Sequence, residues 1–487
     1  MLVVVVLGVF AAVALFFLRH SWRQTTPART CRKQPVAAGK KAIPGWTNDP
    51  ADRKLGDLGE AISSGSLQHY LFQQHRGGRC PVMSFWWRNE RVISVCSPKA
   101  FKDTENLYNR PKLIFAQCFE PLHGSNSIQS VNDTEWKERK KRLHGTMRGK
   151  NLESFFGGLV QIAQETEMKW SPGKPINLMK EMMRMTLKAI LNTSLGNIFE
   201  DDSGVELLAH TYHLCKSEMG ARILDVPSPQ SQQELDFQKN LKCLKDFLKQ
   251  MIEDRKQKHT NCKKLPLIDA LIESGYDEDQ VINDMVTFMG GFHTSAFYAT
   301  WTFFYLALHP DIQERLVQEA KERIQDDEYG EKLKAYTATT NSYLRQFLDE
   351  ALRMSCTAGF SSHYSDQDMM LTEGYFVPAR TPIIHAIGVA MKSEVIWESP
   401  DQFNPDRFTP GSKHAKRGPE FRPFGIPHIR RCPANQFTYF MVSVYVTILL
   451  RRFVLLIPNE QIPEKKYGVA TSPKDEIHLE VEFRHPA

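Results

Sequence analysis

Residues 285–308 read MVTFMGGFHTSAFYATWTFFYLAL, and His293 is the one acidic or basic side chain among them. A run this long and this apolar has to be enclosed, either by lipid or by the rest of the protein. Gly290, Gly291, His293, Thr294 and Ser295 cluster at its centre, which favours an enclosed helix over a membrane span. The predicted helix starts near Asp277 and ends at His309-Pro310, because proline suits the first turn of the next helix and not the interior of this one. Adjacent glycines inside a helix cost on the order of 1 kcal/mol each relative to alanine. They need a reason, and close approach of something flat to the backbone is one. Thr294 follows Gly290 by one helical turn, so its hydroxyl faces the same groove.

The chain around this helix has 487 residues, 41% of them hydrophobic and 24% charged, as in an ordinary globular protein with ample core. No low-complexity linker or repeat interrupts residues 60–487, so a single large domain is expected there. The net charge of +6 is a mild excess, too weak to argue for a nucleic-acid partner. Nine cysteines are scattered without a C-x-x-C pair, which argues against a zinc site or a disulfide framework and for a reducing compartment.

Met1–Leu18 (MLVVVVLGVFAAVALFFL) carries no charge and approaches the length of a membrane span. Arg19, Arg23, Arg29, Arg32 and Lys33 follow it, which orients the rest of the chain toward the cytosol. A cleaved signal peptide would want its positive charge ahead of the apolar run and a small-residue cleavage site behind it. Neither is present, so residues 1–18 read as an uncleaved transmembrane anchor. Residues 19–59 read as a basic, proline-rich linker, and 60–487 as the body.

Within the body, residues 82–97 read as two short strands around a turn at Arg88-Asn89-Glu90. Residues 134–260 are expected to be mostly helical, as are about 343–354 and 433–452. Short strands are expected at 369–379 and 382–387. The end, KYGVATSPKDEIHLEVEF, alternates like a closing hairpin. The fold class is therefore mainly α with a minor β region.

Three further stretches carry chemistry. In EALR, Glu350 and Arg353 lie on one helix face and can pair; alone, such a pair is more often a solvated surface bridge. PDQFNPDRF (400–408) forms an extended loop presenting Arg407. In FRPFGIPHIRRCPANQF (421–437), Arg430 and Arg431 precede Cys432, and Pro433 suggests a helix N-terminus there. Positive charge and a helix N-terminus both favour the thiolate that a metal requires. An isolated cysteine is otherwise more often a small buried hydrophobe.

GGFHTS, EALR with Arg407, and the segment Phe424–Ala434, in this order, resemble the cytochrome P-450 superfamily of haem-thiolate monooxygenases. Thr294 precedes Glu350 by 56 residues and Arg353 precedes Cys432 by 79, spacings that fit the family. SGSLQHYLFQQH, PVMSFWW and KYGVATS look like the animal family numbered twenty, an orphan group without a settled substrate. The resemblance implies the cytochrome P-450 fold behind a single N-terminal transmembrane helix. It implies haem b (iron protoporphyrin IX) with Cys432 as axial thiolate, held in the loop that contains Phe424.

Arg430 would neutralise a haem propionate or help dock a reductase, and Trp136 with Lys140 resembles the helix whose residues reach a propionate. Gly290, Gly291 and Thr294 are the implied oxygen-handling residues, while Glu350, Arg353 and Arg407 would lock the fold beneath the haem. Implied partners are NADPH–cytochrome P-450 reductase, cytochrome b5 as a further candidate, and a lipophilic small molecule. The implied location is the endoplasmic reticulum membrane, with the catalytic domain in the cytosol.

The sequence departs from the family pattern in several places. His293 replaces the usual acid before the threonine and is the candidate stand-in for proton delivery. Lys140 stands where an arginine is typical. A propionate-binding arginine after Arg353 is missing, with His363 as the nearest candidate. His428 occupies the place of a loop glycine, in a loop one residue longer than usual. A haem-dependent isomerase or dehydratase, or a membrane-anchored haem binder with little activity, therefore remain alternatives to a monooxygenase. Substrate recognition is expected near residues 100–130, 205–235 and 355–365.

Overall fold

The computed structural model describes residues 41–49, 55–143, 149–196, 202–222, 227–257, 267–327, 329–427, 429–458, 462–468 and 470–484. The expected anchor Met1–Leu18, most of the linker after it, and His428 lie outside the described residues.

Asp277 starts the central segment. Its carboxylate accepts from the Gln280 N–H at 2.7 Å, while Gln280 Oε1 accepts from the Asp277 N–H at 3.3 Å. This reciprocal cap fixes the first turn, and Glu278 and Asp279 complement its dipole. The helix runs Glu278–Met289 and resumes as Gly291–Leu308, with Gly290 at the junction. One uninterrupted helix was expected; the ladder instead breaks at the glycine pair, where helix propensity is weakest. Every residue from Ser295 to Ala307 is buried, so protein encloses this helix. Among the described residues no helix is long and apolar enough to cross a membrane, which removes the alternative of a second span here.

The enclosure comes from other helices. Leu178–Ser194 and Tyr343–Ser355 pack along Gly291–Leu308. Tyr298 Oη donates to the Leu348 carbonyl at 3.0 Å, tying the central helix to the helix that carries Glu350. Asn435–Arg452, apolar all round, packs against Phe156–Lys169 and also touches the central helix. Pro310 opens the following helix, Pro310–Ile324, as the His309-Pro310 boundary predicted.

The β region is small and set to one side. Val82–Trp87 and Glu90–Val95 form an antiparallel hairpin whose register closes with Trp87 opposite Glu90. Arg88 takes a φ of 56°, the left-handed conformation of a tight two-residue turn. Ile383–His385 adds in parallel to Glu90–Val95, and Ser361–His363 pairs antiparallel with its far edge. The strands expected over 369–379 and 382–387 are shorter: Met369–Met370, Phe376–Val377 and Ile383–His385.

The expected C-terminal hairpin is not formed as such. Lys465–Lys466 pairs with Ser472–Pro473. His478–Phe483 pairs instead with Phe453–Leu456 and Ile176–Asn177. That placement buries Leu479 and Val481 in the main core, which a free-standing hairpin could not offer.

Candidate active site

The Cys432 loop is closed by backbone geometry. The Cys432 N–H donates to the Phe424 carbonyl at 3.0 Å, and Gly425 between them takes a φ of 102°, which side chains disfavour. Pro433 is not the first helical residue, as the sequence suggested. The helix starts at Asn435, whose side-chain amide donates to the Cys432 carbonyl at 2.6 Å and holds a turn ahead of it. Among the described residues Cys432 belongs to no disulfide.

Cys432 and Phe424 line a cavity of about 410 Å³, and so do Gly290, Gly291 and Thr294. Two segments far apart in sequence thus meet on one space. The Thr294 hydroxyl donates to the Gly291 carbonyl at 3.2 Å, so its lone pairs are what it can offer to the cavity.

The two glycines differ in their reasons. A Cβ on Gly290 would lie 2.4 Å from the Tyr212 hydroxyl, whereas one on Gly291 would meet only Ile190 Cδ1, at 4.0 Å. Gly290 is therefore required by Tyr212 packing, not by a flat ligand; Gly291 leaves open space.

Basic groups gather on the Cys432 side of the cavity. Lys140, His363 and Arg430 line it with Trp136, and so does Arg110, which sequence reasoning did not find. Trp136 is stacked on Tyr108, and the Arg430 guanidinium lies 4.1 Å from its ring centre. Arg430 donates from Nε to the Tyr108 carbonyl at 2.7 Å, from Nη1 to Ile128 and from Nη2 to Val131, so it staples the cysteine loop to residues 108–131. Lys140 donates to the Ile429 carbonyl in the same loop. Burial lowers the pKa of Arg110, and burial with the neighbouring Arg110 charge lowers that of Arg430. His363 is buried with no hydrogen-bond partner on either ring nitrogen among the described residues, and burial holds its pKa well below the usual imidazole value.

Glu350, Arg353 and Arg407 come together away from the cavity. Arg353 grips Glu350 with two bonds, Nε to Oε2 at 2.7 Å and Nη2 to Oε1 at 2.8 Å, and both side chains are fully buried. Arg407 Nε reaches Glu350 Oε1 at 3.3 Å and donates as well to the carbonyls of Glu398, Ser399 and Gln402. The pair is thus not a solvated bridge: it ties the helix Tyr343–Ser355 to the 398–407 loop.

His293 does not line the cavity. It turns away from the cavity toward the helix Asp202–Ala221, stacked on His213 with ring centres 5.2 Å apart and against Tyr212 and Phe297. Burial holds its pKa well below the usual value, so it stays neutral and carries no spare proton. Neither nitrogen has a hydrogen-bond partner among the described residues, so it is not paired to a helix carbonyl either.

The family profile described as Cytochrome P450 matches residues 56–480. The chain belongs to the cytochrome P450 family. Cytochrome P450 20A1 of Mus musculus is 28% identical over 460 residues, covering 93% of this chain and 95% of that protein. Its Homo sapiens counterpart is 25% identical over 458 residues, with the same coverage. Cytochrome P450 4c21 of Blattella germanica is 23% identical, covering 83% of this chain and 86% of its own. The crystal structure of the cytochrome P450DA heme domain superposes with a TM-score of 0.78 at 17% identity, covering 92% of this chain and 99% of that one.

The cofactor of this P450 is accordingly haem with a cysteine thiolate ligand, and the residues present fit it. One cysteine faces a cavity that opens beside Gly291. Arg110, Lys140 and the unpartnered imidazole of His363 stand where two propionate carboxylates can restore the charge balance that burial disturbs. Lys140, which stands where an arginine is typical, and His363 with Arg110 all line this cavity.

Proposed function

We propose that this cytochrome P450 monooxygenase inserts one oxygen atom of O2 into a lipophilic small molecule. Electrons come from NADPH through a cytochrome P450 reductase, with cytochrome b5 as a further donor. The observation that carries this reading is that Cys432, Gly291 and Thr294 line one cavity. When bound there, haem supplies dioxygen activation, favoured by electron donation from the thiolate.

The chain's own residues do the rest. The loop closed from Cys432 N–H to Phe424 O holds the sulfur in place. Lys140, Arg110 and His363 hold the propionates. Thr294, with its own proton committed to Gly291, accepts a hydrogen bond from water in the cavity and keeps a proton source there. Phe119, Ile128, Ile190, Met219, Phe288 and Phe360 line the cavity and exclude bulk water. The recognition segments expected near 100–130, 205–235 and 355–365 all contribute lining residues. The apolar run Met1–Leu18 and the basic residues behind it support an endoplasmic reticulum anchor with the body in the cytosol.

The test is a reduced carbon-monoxide difference spectrum of the purified full chain. A thiolate-type Soret band is expected, and Cys432→Ser abolishes it. Absence of haem uptake overturns the reading. A thiolate-type band without reductase-dependent O2 and NADPH consumption across a panel of lipophilic compounds overturns monooxygenation and leaves reductase-independent haem chemistry. With a substrate in hand, Thr294→Ala is expected to divert NADPH-driven turnover toward peroxide; unchanged coupling removes the role given to that hydroxyl.

A further inference from the structure

Lys216 lines the same cavity, on the helix Asp202–Ala221. Its Nζ donates to the Gly290 carbonyl at 3.3 Å. Gly290 sits where the long helix is interrupted, so its carbonyl is accessible to an outside donor. An ammonium has three N–H donors, and this carbonyl takes one. Among the described residues no carboxylate compensates Lys216; burial alone shapes its pKa, lowering it to about 8.

The groups around it are basic or neutral. His123 lines the cavity beside it, with Nδ1 3.4 Å from Thr287 Oγ1. His123, His213 and His293 are all disfavoured as cations by burial first and by the Lys216 charge second or later. An ammonium without a carboxylate partner, on a stretch of cavity wall that is otherwise mostly apolar, is costly unless something anionic occupies the space beside it.

In the reading above, the haem propionates go to Arg110, Lys140 and His363, beside Cys432, and not to Lys216 on Gly290. The basic groups expected to meet them form a separate set, in which Arg110 and Arg430 both act on His363. Lys216 instead sits on Gly290, with His123 beside it, and its charge acts on His123, His213 and His293. One cation with neutral neighbours matches a single negative charge; a dianionic phosphate would want more. Ile190, Met219 and Phe288 on the same cavity wall suit a hydrocarbon body.

We infer that Lys216 selects a lipophilic carboxylic acid, pairing its ammonium with the substrate carboxylate. This rests on the monooxygenase reading for the reaction, while acid binding itself is measured separately. The signal for it lies in the sequence: Lys216 falls on the face of Tyr212, Cys215 and Met219, all buried, where an amphipathic helix places apolar residues.

The test is equilibrium dialysis of the haem-loaded full chain against lauric acid and methyl laurate at neutral pH. The parent is expected to bind the acid at least about tenfold more tightly than the ester. Lys216→Met is expected to erase that preference by weakening the acid alone, and Lys216→Arg to keep it. Equal binding of acid and ester by the parent overturns the inference without any variant. A persisting preference in Lys216→Met, folded and haem-loaded as the parent, overturns it as well. A carbon-monoxide difference spectrum on the same samples separates the two readings. Loss of the thiolate band with a retained acid preference sinks the oxygenase and spares the acid site.

Discussion

Arg139 and Asp284 close a buried ion pair, with Arg139 Nη2 2.6 Å from Asp284 Oδ2. The other carboxylate oxygen accepts from the Ile128 N–H at 2.6 Å. This one carboxylate therefore joins the helix Asp133–Leu143, which carries Trp136 and Lys140, to the long helix through the 126–131 loop. Asp284→Ala leaves the buried Arg139 guanidinium with only the half-exposed Glu135 carboxylate at 3.3 Å and the Asn126 carbonyl, and is expected to destabilise the fold by up to about 3–5 kcal/mol. The double variant Arg139→Met, Asp284→Leu should recover most of that loss. Chemical denaturation measures both. A single variant within about 1 kcal/mol of the parent would show that the pair does not hold these helices together.

The glycine pair gives a sharper contrast, because its two members meet different surroundings. Gly290→Ala drives a methyl group into the Tyr212 hydroxyl and is expected to cost about 1–3 kcal/mol. Tyr212→Phe in the same chain removes the clashing oxygen and should relieve much of the loss. Gly291→Ala meets only ordinary contact and should stabilise the helix by up to about 1 kcal/mol. Melting curves of the four proteins decide this; equal losses at both glycines would mean that the helix junction and not Tyr212 sets the requirement.

Why some of this was legible in the sequence and some was not follows from range. The enclosed helix, the His309-Pro310 boundary and the Arg88-Asn89 turn are written in local composition, and the structure places them as read. Glu350, Arg353 and Arg407 were legible only as a set, as one buried carboxylate flanked by two arginines, since the Glu-x-x-Arg spacing alone fits a surface bridge equally well. The partner of His478–Phe483 depended on which core Leu479 and Val481 could reach, which no local pattern states. Arg110 and Asp284 carried no signal, because their roles arise only when distant loops meet. His293 misled for the opposite reason: its position beside Thr294 was read as proximity to the cavity, yet adjacent helical residues point about 100° apart.

His363 offers a variant whose effect depends on the cofactor. Its ring nitrogens have no hydrogen-bond partner among the described residues, so His363→Phe breaks no such bond in the haem-free protein and removes two buried polar atoms. The haem-free form is expected to be as stable as the parent or more so, while the haem dissociation rate rises by about tenfold or more. Haem transfer to an acceptor protein measures that rate. Unchanged haem retention would assign the propionates to Arg110 and Lys140 alone.

Acid sensitivity follows from three other buried histidines. Burial lowers His75 to about 4 and His123 and His385 to about 3. His75 faces the Cys80 carbonyl through Nδ1 at 2.6 Å, so the proton sits there and Nε2 accepts from the Ser94 hydroxyl at 2.8 Å. His385 Nε2 is 2.9 Å from Thr104 Oγ1, whose own proton goes to the Ala100 carbonyl at 2.7 Å, so here the ring nitrogen donates. In the unfolded chain each of these imidazoles titrates near its ordinary value of about 6.5. Below that pH the unfolded state binds protons that the folded state refuses, so stability falls as pH drops from about 6.5 toward the folded values and is fully present above it. The expected slope is on the order of 1 kcal/mol per pH unit for each histidine. Denaturant midpoints at pH 7, 6 and 5 should therefore decline steadily, and His385→Asn should flatten the decline. A profile level from pH 7 to 5 would mean that these rings accept protons in the folded protein and are not sealed from water.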